Sequence, residues 1–143
     1  MPSFTTQVAN LQQEGPVVEV RLAISRMTED LFWTQPQNIP QPITVLALID
    51  TGASCTVVRE DIIRLLNLNP VGTTRINTPS SSDVQCYEYL LRILFPNNVG
   101  IDNIVVIGAP LQGQNIQCLI GRDILRHGVL NDWQGNSGIN WFA

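Results

Sequence analysis

The sequence predicts a mostly-β domain in which short strands form a barrel, accompanied by one or two short helices. Three patterns indicate this fold. Residues 17–24 alternate between apolar and polar side chains, as in a strand with one face in the core. Residues 43–49 and 116–120 are near-continuous apolar runs, which are typical of buried strands. Residues 73–77 and 84–95 have the pattern of two hairpin arms joined by a small, polar tip.

Helical spacing is confined to two short segments. Residues 59–66, with the letters REDIIRLL, carry four apolar side chains at helical spacing, and residues 122–126 predict a second, shorter helix. Between the first two strands, residues 26–42 contain three prolines among polar residues. This composition predicts a long irregular connection.

Both ends of the chain are predicted to be less regular than its middle. We expect a flexible N-terminal arm over residues 1–15, followed by one folded domain over residues 16–143. Residues 131–138 are rich in glycine and asparagine and predict a loop, and residues 139–142 predict the last strand.

Composition excludes several function classes. The chain has 143 residues, a net charge of −4 and 8 basic residues without a basic cluster, so we expect no nucleic-acid partner. We expect no membrane association and a cytoplasmic location, because the chain has no long apolar run and no signal-peptide pattern, and Met1 suggests a free-standing protein. Cys55, Cys86 and Cys118 lack metal-binding or CxxC spacing, which favours reduced thiols and predicts no metal and no cofactor.

One carboxylate stands out because an apolar strand leads directly to it. Asp50 follows the run at residues 43–49, and Thr51 and Gly52 then turn the chain toward another short strand. A carboxylate in such surroundings must be paired, hydrogen-bonded or protonated, and function is a common reason for keeping one. Asp-Thr-Gly is also an ordinary turn composition, so the tripeptide alone gives only moderate support for a functional site.

A second motif accompanies the acidic turn. The apolar run at residues 116–120 leads into Gly121, Arg122 and a short helix, with the letters IGRDIL. The order of apolar strand, Asp-Thr-Gly-Ala, long hairpin, apolar strand and Ile-Gly-Arg-Asp-Ile-Leu closely resembles the retropepsin-like family of aspartic peptidases, over residues 16–142. The resemblance implies an acid-protease barrel, closed or partly open.

The resemblance also implies an aspartic endopeptidase that works as a homodimer. Members of this family hydrolyse peptide bonds with a water held between two carboxylates that share one proton. The chain contains one Asp-Thr-Gly, so this mechanism requires two copies of Asp50 on a two-fold axis. Residues 139–142 and 17–24 are the candidates for much of the interface. The expected partners are therefore a second copy and a peptide or protein substrate.

The resemblance assigns roles to the neighbours of Asp50. Thr51 and Gly52 complete the catalytic turn: Thr51 would hydrogen-bond across the dimer axis, and Gly52 would let the substrate backbone approach closely. Ala53 fits the small residue of the family and would contact substrate. The hairpin tip would be a flap that closes over the peptide and excludes water. The flap residues are Asn77, Thr78, Pro79, Ser80, Ser81, Ser82 and Asp83. The alternative for this tip is a soluble surface turn.

One departure from the family concerns Arg122. Gly121 and Arg122 match the glycine and arginine that support the family's active site. Retroviral members usually carry an acid just after Asp-Thr-Gly-Ala that pairs with this arginine, whereas this chain has Ser54. Arg122 therefore needs another acceptor, and the candidates are Asp123, Asp61 or a backbone carbonyl.

A binding module is the competing function. Some relatives keep the fold and serve mainly in dimerisation or peptide binding, with little or no proteolytic activity. Exposed strand edges would suit the capture of an extended peptide by strand addition. The intact Asp-Thr-Gly-Ala at residues 50–53 favours the enzyme, because a pure binding module has no reason to keep a carboxylate there.

Overall fold

The computed structural model describes most of the chain, at residues 3–8, 10–77, 82–111, 115–133 and 138–142. Ten strands lie in these residues: β1 Ser3–Gln7, β2 Val17–Ile24, β3 Ile43–Ile49, β4 Val57–Arg59, β5 Gly72–Ile76, β6 Val84–Phe95, β7 Val99–Ala109, β8 Cys118–Ile120, β9 Val129–Trp133 and β10 Gly138–Phe142. The α-helices of the same residues are α1 Leu11–Glu14, α2 Arg26–Glu29, α3 Glu60–Leu65 and α4 Arg122–Leu125.

Six strands close into a barrel. Their order is β2-β3-β8-β4-β7-β6, and β6 pairs back onto β2. Within the described residues, β5 pairs with β6 alone and so forms an edge of the sheet. The side chains of Val18, Val20 and Leu22 point into the barrel and are buried, as the alternation in β2 predicted. The predicted mostly-β barrel is confirmed, in its closed form.

Two parallel strands bring the acidic turn and the second motif to the same end of the barrel. β3 and β8 pair in parallel, with Ile49 opposite Ile120, and both side chains are buried. Because these strands run in the same direction, Asp50 and Gly121 emerge side by side at their ends. The other face of β3 is more exposed to solvent than its continuous apolar sequence suggests, since 37% of the surface of Leu46 is exposed.

The four helices are short, and α3 and α4 correspond to the two predicted ones. α1 and α2 are single turns in segments that were predicted to be irregular. Each begins at a capping side chain: Oδ1 of Asn10 accepts from the N–H of Gln13 at 3.2 Å, and Oγ of Ser25 accepts from the N–H of Thr28 at 3.1 Å. Such caps satisfy N–H groups that the start of a helix leaves without intrahelical partners.

The connection over residues 26–42 is more compact than its sequence predicted. After α2 it forms 3-10 turns at Asp30–Phe32 and Pro36–Asn38. The carboxylate of Glu29 accepts a hydrogen bond from Arg92 of β6 at 3.0 Å, in an ion pair that is mostly shielded from solvent. This contact holds the beginning of the connection against the barrel.

The segment predicted to be a flexible arm, residues 1–15, contains a strand. β1 pairs with β10, which pairs with β9 along its other edge to form a three-stranded sheet. β9 also occupies the start of the predicted loop 131–138. Phe4 of β1 is buried and its ring stacks on Phe95 with the centroids 5.0 Å apart. A five-residue strand whose partner lies at the opposite end of the chain has no local pattern to reveal it. The boundary between the arm and the domain at residues 16–143 stays a prediction.

Candidate active site

Asp50 lies where β3 ends and the chain turns. Its N–H donates to the carbonyl of Ile120 at 2.9 Å, so the end of β8 holds the first residue of the turn. The N–H of Gly52 donates to Oδ1 of Asp50 at 2.9 Å, and the N–H of Ala53 donates to the Asp50 carbonyl at 3.1 Å. Among the described residues, the hydrogen bond to this half-buried carboxylate comes from a backbone group, the N–H of Gly52.

The two residues after Asp50 lie at the surface of the single chain. Thr51 and Gly52 are both exposed. A Cβ atom at position 52 would lie 3.2 Å from Oδ1 of Asp50, closer than an ordinary contact. The glycine therefore leaves room for the carboxylate, and the turn presents an open surface beside it.

Gly121 allows the second motif to pack directly against the acidic turn. A Cβ atom at this position would lie 2.6 Å from the carbonyl carbon and oxygen of Cys55 and 3.0 Å from the carbonyl oxygen of Ala53. These neighbours are backbone atoms, which cannot rotate away as a side chain can. The close approach lets the N–H of Arg122 donate to the Ala53 carbonyl at 2.8 Å.

The acceptor of Arg122 is a backbone carbonyl, one of the three candidates that the sequence left open. Nη1 of Arg122 donates to the carbonyl oxygen of Thr51 at 2.7 Å. The other candidates are engaged elsewhere: Asp61 pairs with Arg59 at 2.7 Å, and Asp123 accepts from Thr56. Thus Arg122 contacts the turn of Asp50 through its backbone and its side chain, although Ser54 replaces the usual acid.

A pair of hydrogen bonds between Thr56 and Asp123, called the clamp below, supports this contact. The carboxylate of Asp123 accepts from the N–H of Thr56 at 2.9 Å and from its hydroxyl at 2.8 Å, and the same hydroxyl accepts from the N–H of Gly121 at 3.1 Å. Thr56 is fully buried. The sequence carries no signal for this clamp, because the two residues are 67 positions apart and become neighbours only in the fold.

The clamp leads to a prediction about stability. Thr56→Val removes the hydroxyl and leaves the N–H of Gly121 and an oxygen of Asp123 without that partner, which should lower the free energy of unfolding by about 2–4 kcal/mol. Thr56→Ser keeps the hydroxyl and is the matched control, with a much smaller loss expected. Urea unfolding of both variants measures the difference. A loss in Thr56→Val no larger than that in Thr56→Ser would contradict the prediction that the hydroxyl's hydrogen bonds stabilise this contact.

The predicted flap is the end of the β5–β6 hairpin. The arms pair in register from Gly72 opposite Glu88 to Ile76 opposite Val84. Beyond them, Oδ1 of Asn77 accepts from the N–H of Asp83 at 2.9 Å, and Asp83 forms an exposed ion pair with Arg75 at 3.2 Å. The tip at residues 78–81, with Thr78, Pro79, Ser80 and Ser81, lies outside the described residues, so its role as a flap stays a prediction.

The cysteines and acidic residues form no metal site in the part of the chain that the structure describes. Cys86 and Cys118 are buried free thiols, and Cys55 is an exposed one. Burial, and to a smaller degree the charge of Asp123, raises the pKa of Cys118 to about 12. This thiol therefore stays protonated at physiological pH. Among the described residues, no helix is both long and apolar enough to cross a membrane.

Comparison with known families agrees with this geometry. A family model described as aspartyl protease matches residues 38–124, which include the acidic turn, the hairpin and the second motif. The chain belongs to the aspartyl protease family. The predicted resemblance to retropepsin-like proteases is thereby confirmed. No curated protein matches the sequence significantly.

Solved structures of similar fold come from viral, bacterial and protozoan proteins. The protease of simian foamy virus (mac) has 16% identity and a TM-score of 0.48, covering 77% of this chain and 91% of its own. A retropepsin-like aspartic protease from Rickettsia conorii has 12% identity and a TM-score of 0.48, covering 98% and 92%. The retroviral protease-like domain of Ddi1 from Leishmania major has 12% identity and a TM-score of 0.43, covering 89% and 94%.

Proposed function

We propose that this protein is an aspartic endopeptidase in which two Asp50 carboxylates of a homodimer activate one water. The supporting observation is the orientation of Asp50. Its Oδ1 accepts from the N–H of Gly52, and no hydrogen bond of the described residues reaches its Oδ2. One oxygen is therefore held by the turn, and the other is available for a water or for the second carboxylate.

The chemistry follows from two such carboxylates brought together. Like charges at close range disfavour double ionisation, so the pair holds one proton. The ionised carboxylate takes a proton from the water, which attacks the peptide carbonyl, while the protonated one polarises the carbonyl oxygen and later supplies a proton to the leaving amine. Each chain carries a single Asp-Thr-Gly, so the second carboxylate must come from another copy.

The exposed Thr51 and Gly52 support a partner on this face of the chain. Strand addition is restricted at the predicted interface of residues 17–24 and 139–142, because both edges of β10 are paired within the chain, and β2 pairs with β3 over residues 17–22 and with β6 over residues 21–24. Within the described residues, β9 pairs with β10 alone, so its other edge can accept a strand. We therefore propose that the partner pairs with this edge of β9.

The hairpin and the turn would hold the substrate. We propose that an extended peptide lies between Ala53 and the flap, which includes Asn77, Ser82 and Asp83 at the ends of its tip. Peptide capture without hydrolysis is the alternative, and the free edge of β5 favours it because an extended chain can add to that edge. A cytoplasmic location fits the exposed thiol of Cys55, which a reducing compartment would keep free.

A peptide library tests the proposal. The wild-type protein is incubated with a diverse set of octapeptides at several pH values, and cleavage products are identified by mass spectrometry. Cleavage that depends on Asp50 supports the enzyme. Binding of the same peptides without cleavage, at every pH value at which the protein stays folded, supports the binding module instead.

Dimerisation should limit activity. Because each chain supplies half of the carboxylate pair, specific activity should fall on dilution below the dimer dissociation constant. Sedimentation at the same concentrations measures the dimer fraction, and the two curves should coincide. Full activity in a sample that sediments as a monomer would refute the shared-carboxylate mechanism.

The hairpin tip should matter for turnover and little for stability. Deleting residues 80–82 should lower kcat/KM by about 10²-fold, because an open cleft holds the peptide and its water imprecisely. Replacing the same residues by three glycines keeps the length and is the control, with activity largely retained. If the deletion variant cleaves peptides as fast as the wild type, the tip is a surface turn.

A further inference from the structure

A groove separate from the acidic turn lies between the 26–42 connection and the loop that precedes β5. Its volume is about 700 Å³. Buried or partly buried side chains of Ile24, Leu66 and Leu90 line it, and the more exposed Leu31 and Val71 lie along it. No residue of the acidic turn or of the second motif contributes to it. The groove is of the size that small ligands and peptide side chains occupy in proteins.

The groove is uncharged. Its polar lining consists of Thr28 and three asparagines, Asn38, Asn67 and Asn69, although the chain has 8 basic and 12 acidic residues. A charged group placed here would lose hydration and gain no counter-charge. Apolar side chains would fill the groove without this penalty, and the asparagine amides can donate to and accept from a peptide backbone.

One wall of the groove is held in place and yet exposes large apolar side chains. The ion pair of Glu29 with Arg92 ties the 26–42 connection to the barrel. Within this connection, 78% of the surface of Leu31 is exposed, and Met27 and Trp33 are also exposed. A fixed segment that presents such side chains to solvent is typical of an interaction surface.

The groove also touches the base of the hairpin. Val71 immediately precedes β5, and its N–H donates to the carbonyl of Glu88 in β6 at 2.7 Å. Leu90, two residues further along β6, lines the groove. A molecule in the groove would therefore contact both arms of the hairpin near their base.

We propose that this groove is a second peptide-binding site, which takes an uncharged, apolar stretch of the polypeptide substrate outside the catalytic cleft. The identity of the occupant as substrate rests on the proposed function. A second copy of this chain fits less well, because its own exposed Met27 and Trp33 lie close in the chain to the exposed Asp30, which would bring a carboxylate into an uncharged groove.

Binding to the Asp50→Asn protein tests this site without requiring cleavage. The probe is the capped peptide acetyl-Ser-Pro-Leu-Phe-Leu-Pro-Ser-amide, and the readout is the shift of backbone amide signals in ¹⁵N-labelled protein. We expect shifts at Leu31, Leu90, residues 66–69 and Val71. The same peptide with Asp in place of Phe should bind about tenfold or more weakly, because its charge is buried without a partner.

Three substitutions sharpen the test. Leu31→Glu and Val71→Glu put a carboxylate into the groove, and each should weaken the binding of the neutral peptide by about tenfold. Leu65→Glu is the matched control, because Leu65 is 65% exposed and does not line the groove, and it should leave binding unchanged. Equal effects of all three substitutions would overturn the proposal.

The other possible results of these experiments also test the proposed second site. Absence of binding, or shifts confined to residues 50–53, would overturn the second site. A change of oligomeric state in Leu31→Glu, seen by sedimentation, would overturn it in favour of an interface between copies. These results are independent of catalysis: groove binding can be found in a chain that cleaves nothing, and cleavage can be found in a chain whose groove stays empty.

Discussion

Replacing Asp50 by Asn should abolish peptide cleavage while the protein stays folded and dimeric. The asparagine has the same shape, and its amide oxygen can still accept the hydrogen bond from the N–H of Gly52. The substitution removes the charge and the exchangeable proton, which are the two properties that the mechanism needs. Because general acid and base catalysis both depend on them, kcat/KM should fall by about 10⁴-fold.

The control for this variant is Glu19→Gln, which removes one negative charge from an exposed position on β2. It should cleave peptides like the wild type. Circular dichroism and sedimentation test whether Asp50→Asn keeps the fold and the oligomeric state of the wild type. Cleavage by this variant at the rate of Glu19→Gln would exclude Asp50 as the catalytic group.

Mixed dimers show whether two chains share one active site or each chain has an active site of its own. When equal amounts of wild type and Asp50→Asn exchange subunits at random, about a quarter of the dimers are wild type on both sides. If both carboxylates of a dimer are required, activity per wild-type chain should fall to about half. Activity that stays constant on mixing would mean that each chain works alone.

The parts of the fold that the sequence predicts well are those with short-range patterns. The alternation in β2 has the period of a half-buried strand, and the four apolar residues of the segment 59–66 have helical spacing. Asp50 could be singled out because β3, the turn and its glycine are contiguous in the chain. These features need no knowledge of distant residues.

The parts that the sequence did not predict depend on contacts between distant residues. β1 pairs with β10, with Ser3 opposite Phe142. Residues 139–142 were predicted as a strand, whereas β1 has no pattern of its own that marks it or its partner. The hydrogen bond from Arg122 to the Thr51 carbonyl spans 71 positions and has a backbone acceptor, which no choice of side chain signals. The order of residues can suggest that an arginine needs an acceptor, but only the packing around Gly121 decides which one it reaches.

Gly121→Ala should be the most damaging small substitution in this chain outside Asp50. Its Cβ would lie 2.6 Å from backbone atoms of Cys55, so the turn after β8 would have to move away from the residues that follow Asp50. That movement would stretch the hydrogen bonds from Gly121 to Thr56 and from Arg122 to Ala53. We expect the free energy of unfolding to fall by about 3 kcal/mol or more, and the folded fraction to lose activity as well.

Gly100→Ala is the matched control for this substitution. A Cβ atom at position 100 would lie 3.3 Å from the end of the Leu94 side chain, which can rotate, and at an ordinary contact distance of 4.0 Å from the carbonyl oxygen of Ile93, and the residue is exposed. Its free energy of unfolding should change by less than about 1 kcal/mol. Urea unfolding and peptide cleavage are measured for both variants at a concentration where the wild type is dimeric. Gly121→Ala could instead prove as stable and as active as Gly100→Ala. The close backbone contact between the second motif and the acidic turn would then not be what supports the Asp50 carboxylate. The clamp of Thr56 and Asp123 would have to support it alone.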